Sequence, residues 1–157
     1  MAKALRILKI DKKEDEVSLR TPSIPVKEEE FNSKEFQEFL DDLLLTAQES
    51  EEPAGGIASP QVGVNKRIFY ILDYDTDEWK LFINPTVEPI GFVKSREMES
   101  CLSVPSREEK VLRYRRVKIK YQDKKGQWHT EKYSDFNAIT IQHEIDHLDG
   151  VLFIDRI

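Results

Sequence analysis

The sequence predicts an α+β fold: mainly antiparallel sheets packed around one central helix, with one further helix toward the N-terminus. Three observations predict it. Apolar residues recur at helical spacing in two stretches, one starting near Ser33 and one ending near Leu148. The section between them reads as short apolar or alternating runs punctuated by turn residues, the pattern of strands. No internal repeat, low-complexity segment or linker divides the 157 residues, so the expectation is one domain over 1–157.

Taken in order, the first residues read as an extended arm with Pro22 and Pro25, followed by the acidic patch Glu28 to Glu30. From Ser33 the pattern turns helical, with Phe36, Phe39, Leu40, Leu43, Leu44 and Ala47 on one face. Asn32 is the expected N-cap, and Glu35, three residues on, the other half of a capping box. Such a stripe can serve as a partner groove, but packing against the core accounts for it more simply. The helix is expected to end at Glu51-Glu52-Pro53, where proline cannot continue it. The loop Ala54-Gly55-Gly56-Ile57-Ala58-Ser59-Pro60-Gln61-Val62-Gly63 follows. Its glycines suit a backbone that something approaches closely. It lacks the Lys-Ser/Thr that would finish a phosphate loop.

Arg67 to Asp73 is apolar enough for a buried strand, Asp75-Thr76-Asp77 makes a turn, and Trp79 to Val87 returns. Val111 to Tyr121 alternates apolar and charged residues, as a half-exposed strand does. Asp123-Lys124-Lys125-Gly126 reads as a hairpin turn and Gln127 to Tyr133 as its second arm. Ser134 or Asp135 caps the second helix, which runs to about Leu148 with Gly150 at its end.

Composition excludes several function classes. Lys and Arg number 24 against 30 Asp and Glu, a net charge of −6, so simple electrostatic binding of nucleic acid is not expected. Lys110, Arg113, Arg115, Arg116, Lys118 and Lys120 make a locally basic stretch, read as the solvated face of a strand in preference to an RNA contact. A single cysteine, Cys101, cannot build a disulfide framework, so nothing points to secretion. Lys3, Arg6 and Lys9 break the apolar run at the N-terminus, and no small-residue cleavage site follows, so it is not read as a signal peptide. No stretch approaches the length of a membrane span. The expected location is the cytoplasm.

The second helix carries His143-Glu144-Ile145-Asp146-His147. Four residues is slightly more than one helical turn, so both imidazoles lie on one face and can bind one ion. Phe136 and Ile139 or Thr140 share that face and direct it inward, and Glu144, beside the histidines, reaches a water at the site without being a ligand. Two of the three histidines fall in this pattern with glutamate in the required slot, while His129 sits in the polar hairpin arm and reads as exposed.

A catalytic site needs a third protein ligand and an open position. Phe153 stands where a downstream histidine would fall, and Asp149 and Asp155 lack the usual spacing. The third ligand is therefore expected upstream, and Cys101 is the best candidate, because thiolate is a strong ligand for zinc or ferrous iron. Its surroundings, Glu99-Ser100-Cys101-Leu102-Ser103, are polar and small, unlike a core segment. The residues suit metal-assisted hydrolysis of a small acyl or amide bond. A metallopeptidase with a non-cysteine ligand and a structural zinc module stay open as competing readings.

Three segments together resemble the peptide deformylase family. Gln142-His143-Glu144-Ile145-Asp146-His147-Leu148 is similar to its third motif, Glu99 to Ser103 to its second, and Ala54 to Gln61 to its first, in family order and at family-like separations. The likeness runs from the first helix nearly to the C-terminus. Ala54 and Ser100 replace glycines of the family pattern, and Ser100 is expected to narrow the cleft or change its hydrogen bonding. Arg107 lies one place early for the arginine that helps many members hold the peptide. The chain ends at Ile157, so the expectation is a short form without the C-terminal helix that many bacterial members use on the ribosome.

The resemblance implies removal of the formyl group from N-formylmethionyl peptides or nascent chains, releasing formate, with transient ribosome contact. It implies one divalent ion per chain held by Cys101, His143 and His147, with ferrous iron in the cell, while zinc, nickel or cobalt also suit the ligands. Glu144 would be the general base and acid. The side-chain amide of Gln61 and the backbone N–H of Leu102 would face the oxyanion, and Glu99 would pair with Arg113 to fix the cysteine loop. Gly56, Ile57, Phe136 and Ile139 are the substrate-binding candidates, Phe136 and Ile139 for the methionine side chain and Ile57 at the entrance.

Overall fold

The computed structural model describes residues 1–52 and 54–157; Pro53, expected to help end the first long helix, lies outside the described residues. The N-terminal arm is not extended throughout. Lys13–Leu19 form the short helix α1, with Glu14, Asp15 and Glu16 in its first turn, where the helix dipole favours negative charge. Seven residues give too short an apolar pattern to stand out. The acidic patch folds as a 3₁₀ turn, Glu28–Asn32. That turn takes Asn32, so the cap of α2 (Lys34–Gln48) passes to Ser33, whose Oγ accepts from Phe36 N at 3.3 Å.

Strands β1 (Gly56–Ala58), β2 (Ile68–Leu72), β3 (Trp79–Pro89), β4 (Lys94–Cys101), β5 (Val104–Tyr114), β6 (Arg116–Gln122) and β7 (Trp128–Ser134) follow, then α3 (Asp135–Leu148). They form a five-stranded antiparallel sheet in the order β1-β2-β3-β6-β7 and a separate β4–β5 hairpin. The run Val111 to Tyr121 is therefore not one strand. The chain turns at Arg115, whose N–H donates to Val93 O and whose carbonyl accepts from Asp135 N, and the two halves enter different sheets.

Alternation along β2 shows how the layers stack. Phe69 and Ile71 point to one face, with Phe82, Val117 and Ile119, and meet Ala138, Ile141, Ile145 and Leu148 of α3. Ile68 and Tyr70 point to the other face and meet Phe36, Leu40, Leu43 and Ala47 of α2. The large sheet thus separates the two long helices, and the apolar stripe of α2 is a core face. Burying a side chain as fully as Ile141 contributes about 1.5–3 kcal/mol. A third cluster, Val104, Val111, Leu152 and Phe153, closes the hairpin over the C-terminal turn. Helix α3 also contacts β5, which makes it the central element.

Helix α3 stops at a Schellman motif. Val151 N donates to Asp146 O at 2.8 Å and Gly150 N to His147 O at 3.1 Å. Gly150 has φ +77°, and a Cβ there would fall 2.4 Å from Arg20 O, so two independent constraints call for glycine.

Candidate metal centre

His143 and His147 lie one turn apart on one face of α3 and meet edge to face, with ring centroids 5.0 Å apart, as their spacing requires. The turn at the end of β4 brings Cys101 to them. Its Sγ lies 3.3 Å from His147 Nε2, and one ligand atom from each of Cys101, His143 and His147 falls within 4.8 Å of the other two. The other candidates for a third ligand are engaged elsewhere: Asp149 pairs with Arg67 at 3.0 Å, and Asp155 with Arg20 at 2.8 Å. His129 belongs to the β6–β7 hairpin, where it contacts Asp123 at 2.7 Å.

A buried ion network holds these groups. Arg113 makes a bidentate pair with Glu99 at 2.8 and 2.9 Å and donates to Asp146 Oδ2 at 2.6 Å. Asp146 also accepts from Arg156, at 2.7 and 2.9 Å. Glu99 Oε1 accepts from His143 Nδ1 at 2.8 Å, which leaves Nε2 of that ring for the ligand face. Burial works against charge on Glu99, yet the hydrogen bonds from Arg113 and His143 hold its carboxyl below the ordinary value. Arg113 is thus not part of a solvated face: it is 4% exposed, and it leaves the basic stretch because it sits at an inward position of β5.

Do these residues fit a divalent cation? Burial opposes charge on His143, but hydrogen bonds to Cys101 and Glu99 overcome it and raise its pKa well above the usual value. A centre that draws in a proton so strongly favours positive charge between the thiol and the imidazoles. Burial, with the charges of His143 and Arg113, holds His147 well below the usual value, so it offers a neutral nitrogen. One sulfur and two imidazole nitrogens suit zinc, iron, nickel or cobalt. The donor set fits.

Glu144 lies beside the cluster, 3% exposed, and its Oε1 has no hydrogen-bond partner among the described residues. Burial pushes its carboxyl up to about 7, with His143 pulling down and Glu99 pushing up. Gly56 exists to admit it: a Cβ at Gly56 would fall 2.7 Å from Glu144 Oε2 and 2.9 Å from Tyr70 O. Gln61 sits in the 3₁₀ turn Ser59–Val62 that follows β1. Its Oε1 accepts from Ala58 N at 2.9 Å, which turns its NH₂ toward Ser103 Oγ at 3.1 Å and Cys101 Sγ at 3.5 Å.

A cleft of about 250 Å³ opens over these groups. Gly56, Gln61, Leu102, Phe136 and Ile139 all line it, and Phe136 packs on Tyr74 with centroids 5.6 Å apart. Ile57 does not belong with them. Strand alternation turns its side chain away from the side Gly56 presents, and it is fully buried in the cluster with Leu40 and Leu43. Reading the sequence missed Asp146, Tyr74 and Glu97. Glu97 and Glu99 stand at alternate positions of one strand, a signal that places Glu97 on the face of Glu99. Asp146 occupies a slot that the spacing of the two histidines and the glutamate leaves unspecified, and it carries no local sign of its role.

Residues 4–157 match the model of the family described as polypeptide deformylase. The chain belongs to that family. It is 42% identical over 123 residues to a peptide deformylase of Fusobacterium nucleatum, covering 78% of this chain and 69% of that one. It is 40% identical over 138 residues to a peptide deformylase of Pseudomonas aeruginosa, covering 87% and 79%. Among solved structures it resembles a class I type b peptide deformylase of Acinetobacter baumannii bound to Met-Ala-Ser, with TM-score 0.88 and 29% identity over the whole of both chains. It also resembles a probable peptide deformylase of Synechococcus phage S-SSM7, with TM-score 0.84 and 33% identity, covering 98% of this chain and all of that one. No helix among the described residues is long and apolar enough to cross a membrane.

Proposed function

We propose that this deformylase-family hydrolase removes the formyl group from N-formylmethionyl peptides and nascent chains, releasing formate, with Cys101, His143 and His147 holding one divalent ion. The observation that carries the reading is the convergence of those three ligand atoms within 4.8 Å, beside a buried glutamate whose Oε1 is unpartnered, at the floor of a cleft. When bound, the ion supplies Lewis acidity, which makes a water nucleophilic at neutral pH and polarises a carbonyl.

The chain's own residues do the rest. With its pKa raised to about 7, Glu144 can take a proton from the attacking water and return it to the departing amine. The Gln61 NH₂ is pre-aimed by the Ala58 N–H on its other end, and with the Leu102 N–H it faces the oxyanion. Losing one such donor costs about 3–4 kcal/mol in the transition state. Phe136 and Ile139 receive the methionine side chain. Strand β1 is an edge of the large sheet and β4 pairs with β5 alone, so free strand edges stand ready for the backbone of an extended peptide. Glu99 fixes the ring of His143, and Arg113 fixes Glu99.

The ion of the living cell is ferrous iron on this reading, and the setting is the cytoplasm, with transient contact at the ribosome where formylated chains emerge. An acidic chain with one cysteine supports that setting. The test is formate release from formyl-Met-Ala-Ser by protein reconstituted anaerobically with ferrous iron, beside an N-acetyl peptide. Release from the formyl peptide alone is expected, and Glu144→Gln is expected to lose about 10²–10⁴-fold in rate while keeping its metal. No release from metal-loaded protein would end the reading.

A further inference from the structure

The outward face of the β4–β5 hairpin takes no part in the metal centre, and its charge is opposite to that of the chain as a whole. Strand β4 places Lys94 and Arg96 there, and the antiparallel register sets Tyr114 opposite Lys94, Leu112 opposite Arg96 and Lys110 opposite Met98. Alternation turns Glu99, Val111 and Arg113 inward and leaves Lys94, Arg96, Lys110 and Leu112 exposed. With about 5 Å between paired residues and 7 Å between alternate ones, the three cations and Leu112 share a patch roughly 15 Å long.

Among the described residues no carboxylate pairs with Lys94, Arg96 or Lys110, whereas the nearby Arg107, Arg113, Arg115 and Lys118 each have one. Lys94 instead lies over the Tyr114 ring, 4.5 Å from its centroid, which holds the ammonium without cancelling its charge. Glu108, toward the other end of β5, is the acid on that side. The chain enters this face through Gly91-Phe92-Val93, the connection from β3 to β4. Phe92 is 95% exposed and Val93 69%, and with Leu112 they put three large apolar side chains in water beside the unpaired cations. Side chains of this kind stabilise a fold by being buried, so a cluster of them left outside marks an interaction surface.

We infer that this face docks on an anionic lipid membrane, with Phe92 and Val93 entering the interface while Lys94, Arg96 and Lys110 meet the acidic headgroups. Charge complementarity selects the occupant. The chain carries −6 overall, so an anionic surface repels most of it and attracts only a face with unpaired cations. The apolar side chains then select among anionic partners. Phe92, Val93 and Leu112 gain by leaving water for the acyl boundary, while Val and Leu offer a nucleic acid neither a hydrogen bond nor a ring to stack on. A second copy of this chain would set the same cations against each other. Strand β4 spans eight residues from Lys94 to Cys101, roughly 23 Å, so contact at the Phe92 end leaves the metal end of the hairpin clear. The inference stands on this surface alone and does not depend on the deformylase reading.

The test is co-sedimentation of metal-loaded protein with vesicles of phosphatidylcholine alone, and of one part phosphatidylserine to two parts phosphatidylcholine, at low and at high salt. Binding is expected on the anionic vesicles, with little on the neutral ones, and it should weaken at high salt. Phe92→Ser should lower the partition coefficient about 10-fold. Lys94→Gln and Arg96→Gln should each lower it about 5-fold, the effect of one basic residue near an anionic surface. Lys34→Gln, on α2, should leave it unchanged. All of these side chains are exposed, so urea unfolding should match the parent, which separates lost docking from lost folding. No binding to anionic vesicles overturns the inference. So does binding that is equal on both kinds of vesicle, or that Phe92→Ser and Lys94→Gln leave intact. Binding of a single-stranded RNA that Lys94→Gln weakens and Phe92→Ser does not, without vesicle binding, would assign the cations to nucleic acid and overturn it too.

Discussion

Helix α3 and the β4–β5 hairpin contribute to one centre, but they hold their ligands by different means. In α3 the spacing of His143 and His147 is a property of the helix, which would bring the rings together wherever it formed. The hairpin has no such rule. Cys101 arrives because Glu99, two residues before it, is clamped by a guanidinium from the facing strand, and that guanidinium is tied to α3 through Asp146. The glutamate that anchors the hairpin also orients His143. Local geometry thus sets two ligands of the site, while the third depends on long-range charge pairing that must survive burial.

The sharpest way to break the hairpin's half is Cys101→Ala. Metal bound per chain, read by elemental analysis, should fall far below one, with no detectable deformylation. A non-cysteine peptidase site would keep its metal.

Next in size is Arg113→Met, which leaves the carboxylates of Glu99 and Asp146 short of a buried partner. Unfolding in urea should show a loss of about 3–5 kcal/mol, and metal affinity should fall about 10–100-fold because His143 loses its fixed orientation. Ile141→Ala, on the sheet face of α3, should cost about 2–5 kcal/mol while leaving metal affinity much closer to that of the parent. If both variants lost metal equally, the division between helix and hairpin would be wrong.

A third prediction concerns Glu144, whose carboxyl is raised from 4.5 to about 7 by burial. A raised carboxyl binds its proton more tightly in the folded state than in the unfolded one. The contribution of Glu144 to stability is therefore fully present below pH 4.5 and is lost as pH rises through 7. Against Glu144→Gln, metal-free protein should lose on the order of 3 kcal/mol across that window, measured by denaturant titration at each pH. A bound cation should flatten the difference by favouring the carboxylate. Parallel curves without metal would refute the assigned cause.

The smallest effect on stability is expected from Gly56→Ala, about 1–3 kcal/mol from crowding, accompanied by a marked fall in turnover because the methyl group meets Glu144 Oε2. Unchanged turnover would show that the carboxyl tolerates displacement.

The elements that could be read from the chain were those whose pattern is local. Phe36 to Ala47 and Ala138 to Leu148 carry helical periodicity, and both helices stand where it placed them. The break at Arg115 could not be read, because Val111 and Arg113 of β5 and Val117, Ile119 and Tyr121 of β6 keep the same alternation across it. Alternation reports which face is buried and says nothing of which sheet buries it. Ile57 was misplaced for a related reason. The first motif marks the loop, but only the pairing of β1 with β2 decides which of its side chains turn into the core.

By itself the sequence determined the α+β class, the helix with two histidines and a glutamate at one-turn spacing, and the expectation of an upstream thiolate. Each follows from periodicity or from the chemistry of residue types, which act over a few residues. Tertiary structure alone decided that Asp146 and Arg156 join Arg113, that Asp149 and Asp155 are engaged elsewhere, and that Glu97 shares a cleft with Glu52. Those relations exist only once folding brings the segments together, and at the buried Arg113–Asp146 pair burial makes unpaired charge costly enough to require a partner.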